Sequence, residues 1–319
     1  MPYGMPSSPE PETPDMPQTI LGYVVRYTGR HQIGLALLSI SVFLLSTAPL
    51  ELQRRIVNDL AHKGPFSTIL WLAATYAGVS LAEQLLKLAL NVYRGWVAES
   101  AVRTLRRRVL KVEVDSDMAA GVEIALILEE AEPIGGFAAL SISEPLLQGG
   151  ILASVIVYMF VLQPSLALLG LAFFIPQTLF VPLLQAAINR RARDRILLKR
   201  GISGAIAEGP DEATGTAQQT AVEQIFGLNM GIYRMKYLMN LLMNLMHHLS
   251  VAAALCAGGW LALEGRIEVG TVVAIVGGLG KLNDPWGDLV SWAREFSVVN
   301  VKYRLFSDAA TGLGVAKLA

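Results

Sequence analysis

Apolar runs of membrane-crossing length alternate with charged stretches along most of this chain. The longest extends from Pro145 to Asn189, 45 residues without Asp, Glu, Lys or Arg. A helix of about 20 apolar residues crosses a bilayer, so this run holds two crossings. Gln163-Pro164-Ser165 marks the turn between them, because proline lacks a backbone donor and disfavours helix at the residue before it. Glu129, Glu130, Glu132 and Glu144 precede the run, and Arg190, Arg191, Arg193 and Arg195 follow it. The pattern is a helical hairpin that dips into a membrane from a charged side and returns. The predicted spans are 32–50, 66–93, 145–162, 165–189, 237–263 and 269–292, the last interrupted by Lys281, Asp284 and Asp288. Thr19 to Tyr27, with Arg26 and then Arg30, reads as a short amphipathic helix along the membrane surface. The expected fold class is an all-α membrane protein with six transmembrane helices.

Two connections stand apart from the spans. Arg94 to Glu144 and Arg190 to Lys236 are each close to 50 residues long and keep a helical period. They predict long helical extensions beyond the membrane, a shape suited to engaging a partner. They also carry six and eight Lys or Arg, against three, none and one in the other connections. By the excess of basic residues in cytoplasmic loops, both extensions, and with six spans both termini, belong in the cytoplasm. Residues 1–17 hold six prolines and three acids and no apolar core. Residues 1–18 therefore read as a disordered, proline-rich cytoplasmic tail, 19–308 as the membrane domain and 309–319 as a C-terminal tail.

Composition agrees. The chain is 53% hydrophobic and 16% charged, with a mean hydropathy of +0.47; soluble domains carry about 25% charged residues. The formal net charge is zero and Cys256 is the single cysteine, so no intrachain disulfide forms. The lipid bilayer is the expected environment and no nucleic-acid partner is expected.

The chemistry-bearing residues are few. Gly280-Lys281 lacks a phosphate loop's other features: Ile275 stands where its first glycine belongs, and Leu282 where Ser or Thr would hold magnesium. Adjacent His247 and His248 point in different directions on a helix and cannot share a metal, so no metal site is expected. No grouping resembles a catalytic centre. Charges inside spans are costly and usually face a bundle interior or water. Glu83 and Lys87 are spaced for a helical ion pair. Lys281, Asp284 and Asp288 follow i, i+3, i+7 and would share one face of a single helix near mid-membrane, with Pro285 among them. They line either a hydrated cavity or a salt bridge between helices. With His247, His248, Glu83 and Lys87 they are the substrate-path candidates.

Several stretches, in order, resemble the transmembrane domain of an ABC exporter of the six-helix, type IV arrangement. They are ILGYVVRYTGRH, SAVRTLRRRVL, LQPSLALLGLAFFIPQTLF, NRRARDR, AVEQIFGLNMGIYRMKY, GGWLALEGRIEVGTVVAIVGGL and AREFSVVNVKYRLF, together covering roughly residues 19–308. The resemblance implies a domain-swapped homodimer or heterodimer whose cytoplasmic elbows dock on ATP-binding domains. It places the second coupling helix near Gln224 to Met235, with Gln224, Ile225, Phe226, Gly227, Leu228 and Tyr233 as contacts. The chain departs from the pattern at three points. It stops where the nucleotide-binding domain would begin, its first elbow, Val112 to Gly121, is short and acidic, and Gly209-Pro210 interrupts the second.

The expectation is a membrane subunit of an ATP-driven exporter in the plasma (inner) membrane. The chain itself holds no cofactor; ATP and magnesium belong to a separate nucleotide-binding subunit. Two alternatives are a transporter of the same fold driven by an ion gradient, and a non-transporting membrane partner protein.

Overall fold

The computed structural model describes residue 17 and residues 19–109, 131–208 and 212–312. The proline-rich tail apart from Pro17 and Thr19, the acidic first elbow, Gly209-Pro210 and residues 313–319 lie outside these described residues. Among the described residues all regular structure is helical: α1 Ile20–Leu45, α2 Ala48–Ala61, α3 Phe66–Val109, α4 Ala131–Leu140, α5 Ser143–Leu162, α6 Pro164–Glu208, α7 Glu212–Leu263, α8 Val269–Gly280 and α9 Asn283–Gly312. Five helical stretches are long and apolar enough to cross a membrane: Ile20–Ala61, Phe66–Arg107, Ala131–Leu162, Pro164–Lys199 and Gln219–Leu263.

The sixth expected span differs from its prediction. Residues 269–292 are not one helix: α8 ends at Gly280, Lys281 and Leu282 form a turn, and α9 starts at Asn283. Pro285 accounts for the position of the break. Its ring would collide with the carbonyl four residues back, that of Lys281, and it offers that carbonyl no donor. In the first turn of a new helix the missing N–H costs nothing, because those donors have no intrahelical partner anyway. Pro49 acts alike in the first expected span, where α1 and α2 part at Ser46-Thr47.

The helices form two compact units, one built from residues up to 52, 70–154 and from 284 onward, the other from 53–69 and 155–283. In the first, α1, α3, α4 and α9 enclose a core of Tyr23, Val24, Leu105, Ile134, Phe137 and Tyr303. Tyr303 Oη donates to the Pro17 carbonyl at 2.6 Å and so anchors the chain just ahead of α1. In the second, α6 and α7 run antiparallel. Ser250 Oγ donates to the Gly170 carbonyl at 3.0 Å between them, and Gly258 on α7 admits Val272 of α8 and Leu166 of α6. Such small residues let membrane helices approach closely.

At one end of the second unit α2 clasps the start of α8. Asn58 accepts from the Gly270 N–H at 2.7 Å and donates to Glu268, while Arg54 reaches the same carboxylate at 3.3 Å. Glu268 makes no side-chain cap to its own helix; Asn58 of α2 caps it instead. A Cβ on Gly270 would run into the Arg54 carbonyl and the Asn58 side chain, so glycine is what this approach requires.

Candidate functional site

Leu90, Arg94, Val97, Ala101 and Leu105 follow helical spacing along α3, and all five are buried. Arg94 is thus a cation on an apolar face, 8% exposed. A buried charge is tolerated only when it is paired and hydrogen-bonded. Its Nη1 lies 2.6 Å from Glu144 Oε2, and its Nε donates to Ser143 Oγ at 2.9 Å. Both partners sit in the first turn of α5, where the helix N-terminus also favours the Glu144 carboxylate. Ser143 Oγ donates to the Ala139 carbonyl at 2.8 Å, and its own carbonyl accepts from Ser39 Oγ of α1 at 3.2 Å.

Gln148, one turn further along α5, extends the network. Its amide nitrogen donates to Glu144 Oε1 at 2.8 Å and to Asp288 Oδ2 of α9 at 2.9 Å. One amide therefore bridges two carboxylates, and Asp284 stands one turn before Asp288. Arg94 Nη2 has no hydrogen-bond partner among the described residues. Glu144 is the carboxylate paired with the guanidinium, while Asp284 and Asp288 on α9 are exposed. Such an arrangement can hold a proton, a cationic group or ordered water against Asp284 and Asp288.

Other predicted residues fall elsewhere. Glu83 and Lys87 form the expected pair, Nζ to Oε1 2.7 Å, with Glu83 buried. Lys281 lies in the turn between α8 and α9, so the i, i+3, i+7 spacing does not place it on a helical face with Asp284 and Asp288. His247 and His248 have ring centroids 5.4 Å apart on α7, and no group of three metal-ligating residues occurs among the described residues. Gln224, Ile225, Phe226, Gly227, Leu228 and Tyr233 all lie within the shaft of α7. α6 ends at Glu208 and α7 begins at Glu212, so Gln224 is about 18 Å along the helix from the start of α7 at 1.5 Å per residue. Phe226 is 62% exposed and Tyr233 half exposed.

Sequence reasoning missed Arg94, Ser143, Glu144 and Gln148 as a site. It counted Arg94 with the cytoplasmic basic residues and Glu144 as a flank. The signal was present: an arginine at the i+4 position of Leu90 and three before Val97 sits on a buried face and must have an acid.

The fold is that of an all-α integral membrane protein. The family described as the ABC transporter transmembrane region matches residues 33–208, from α1 to the end of α6. That is more than half of the 319 residues, and the chain belongs to this family. No curated protein matches the chain.

Proposed function

We propose that this chain is the membrane-spanning subunit of an ATP-driven exporter. It pairs with a second transmembrane subunit, identical or different, and with a separate nucleotide-binding subunit that binds ATP and magnesium. The supporting observation is the arm formed by α6 and α7. Both continue well past their apolar portions, α6 from Arg190 to Glu208 and α7 from Glu212 to Lys236, or about 28 and 37 Å at 1.5 Å per residue. Arg195 Nη1 donates to Asn229 Oδ1 at 3.0 Å across this arm, and Arg191 reaches Met235 Sδ at 2.9 Å. A braced, polar-sided pair of helices transmits motion over that length in a way a loop does not. The basic residues of the arm support a cytoplasmic location for it and for both termini, in what we take to be a plasma (inner) membrane. The sixth crossing, 269–292, is then a broken one.

Purification from the native membrane tests this reading. A co-purifying ATP-binding subunit is expected, with substrate flux that stops when that subunit's ATP hydrolysis is blocked. Flux from the chain alone, driven by a proton gradient, would sink it and favour the ion-driven alternative. The amide-bridged pair of Glu144 and Asp288 is the feature that supports that second reading.

A further inference from the structure

Near the start of α1 the first unit holds a cavity of about 90 Å³, walled by Tyr27, Thr28 and His31 of α1 and by Ser100 and Thr104 of α3. At ~30 Å³ per water it admits about three waters, or one compact headgroup. Its polar lining is not fully used. Thr28 and Thr104 donate to the Val24 and Ser100 carbonyls. Ser100 Oγ has no hydrogen-bond partner among the described residues. His31 Nδ1 is held by Tyr93 Oη at 2.9 Å, and the ring packs edge-on against Trp96 at 4.9 Å. The ring is therefore fixed while Nε2 is left for a ligand.

Among the described residues, basic side chains stand one helical turn from the cavity walls. Arg30 follows Tyr27 by three residues and Arg107 follows Thr104 by three, so each occupies the next helical turn beside a cavity wall. Both are exposed, and neither has an ion partner among the described residues. Glu99 is the nearest acid in sequence; it adjoins Ser100, lies about 100° round α3 from it, and is exposed to solvent. The depth is also marked. The charge-free and ion-paired part of α3 ends at Arg94, and Tyr93 and Trp96 are the aromatic types that gather at the membrane–water interface. Towards the apolar side, Ile33, Leu37 and Val92 are exposed on the same two helices.

We infer that this cavity binds a phosphate group, supplied by the headgroup of an anionic phospholipid or by free phosphate. Ser100 and His31 donate to the phosphate oxygens, and Arg30 and Arg107 balance the charge. Exposed Ile33, Leu37 and Val92 give acyl chains a place to lie, which favours the lipid as the source. Basic pockets between membrane helices are suited to such headgroups. The site is independent of ATP coupling and of transport direction; only the leaflet follows from the orientation proposed above.

The test is thermal unfolding of the full chain in phosphate-free dodecyl maltoside micelles, with increasing phosphatidylglycerol or with added inorganic phosphate. A ligand that binds the folded state raises Tm with its concentration. Phosphatidylglycerol should raise Tm, and in Arg30→Gln and Ser100→Val the rise, each measured from that variant's own lipid-free Tm, should fall by half or more. Arg30 is exposed, so its replacement leaves the fold intact. An equal rise with inorganic phosphate, lost in the same variants, assigns the site to free phosphate. No rise with either, or a rise undiminished in both variants, overturns the inference and leaves a cavity that holds only water.

Discussion

A guanidinium inside a helix bundle persists only while an anion matches it, and Arg94 therefore gives the sharpest test at the scale of single residues. Arg94→Met alone strands Glu144, and Glu144→Leu alone strands Arg94. Breaking a buried pair in this way costs about 3–5 kcal/mol. The double variant, apolar at both positions, should recover most of that loss. A double-mutant cycle on Tm in lipid nanodiscs measures it, and additive single effects would show that the pair is hydrated and weak. Two glycines predict opposite signs. Gly270→Ala drives a methyl into the Arg54 carbonyl and the Asn58 side chain, an overpacking that costs about 1–3 kcal/mol. Gly227 has nothing within 4 Å of its would-be Cβ and lies inside α7. Gly227→Ala should therefore stabilise by ~0.5–1 kcal/mol, the helix-interior difference between the two residues. Matched Tm measurements of the two variants would expose an error in either sign.

At the scale of elements, prolines decide where helices restart. Pro49, Pro133, Pro145, Pro164 and Pro285 all lie in first turns, while Pro176 and Pro182 sit inside the continuous α6. Pro285→Ala restores a donor and removes the clash with the Lys281 carbonyl, so α8 and α9 should join more fully. Amide exchange at Leu282 to Asp284 should slow; exchange unchanged from wild type would assign the break to Gly277, Gly278 and Gly280 instead. The α6–α7 arm carries the second prediction. If its shaft as well as its end touches a nucleotide-binding subunit, the exposed Phe226 is an anchor, since aromatic side chains dominate such contacts. Phe226→Ala should then weaken co-purification of that subunit without loss of membrane insertion. Unchanged co-purification would confine docking to the ends of α6 and α7 at Glu208 and Glu212.

At the scale of the whole molecule, orientation is the property to test. Cys256 is the only cysteine and is exposed, so Cys256→Ala gives a clean background for labelling. Cysteines at Pro164 and Glu264 should react with an impermeant reagent from outside, and one at Gln218 should not. Glu264 is preferable to Gly265, whose φ of 70° penalises any side chain. Outside labelling at Gln218 would reverse the proposed topology and place the arm where no cytoplasmic ATPase could reach it.

Charge-free length marked five helical stretches able to cross a membrane, because the cost of a charge in hydrocarbon is written directly into composition. The Glu83–Lys87 pair was legible for a related reason: it is local, and helical spacing alone brings the two together. The seven residues nominated for the substrate path were chosen on the same local logic, and the six for coupling on the family resemblance. Lys281 left the face of Asp284 and Asp288 because Pro285, four residues further on, restarts the helix, and Phe226 lies in a shaft because α7 begins at Glu212. What only the tertiary structure decided was which distant residues meet. Arg94 finds Glu144 across 49 intervening positions of register, Gln148 finds Asp288, and Asn58 caps a helix more than 200 residues away. Hydrophobicity fixes which segments enter the membrane but is blind to rotation about each helix axis, and it is that rotation, set by close packing at residues such as Gly170 and Gly258, that chooses the polar partners.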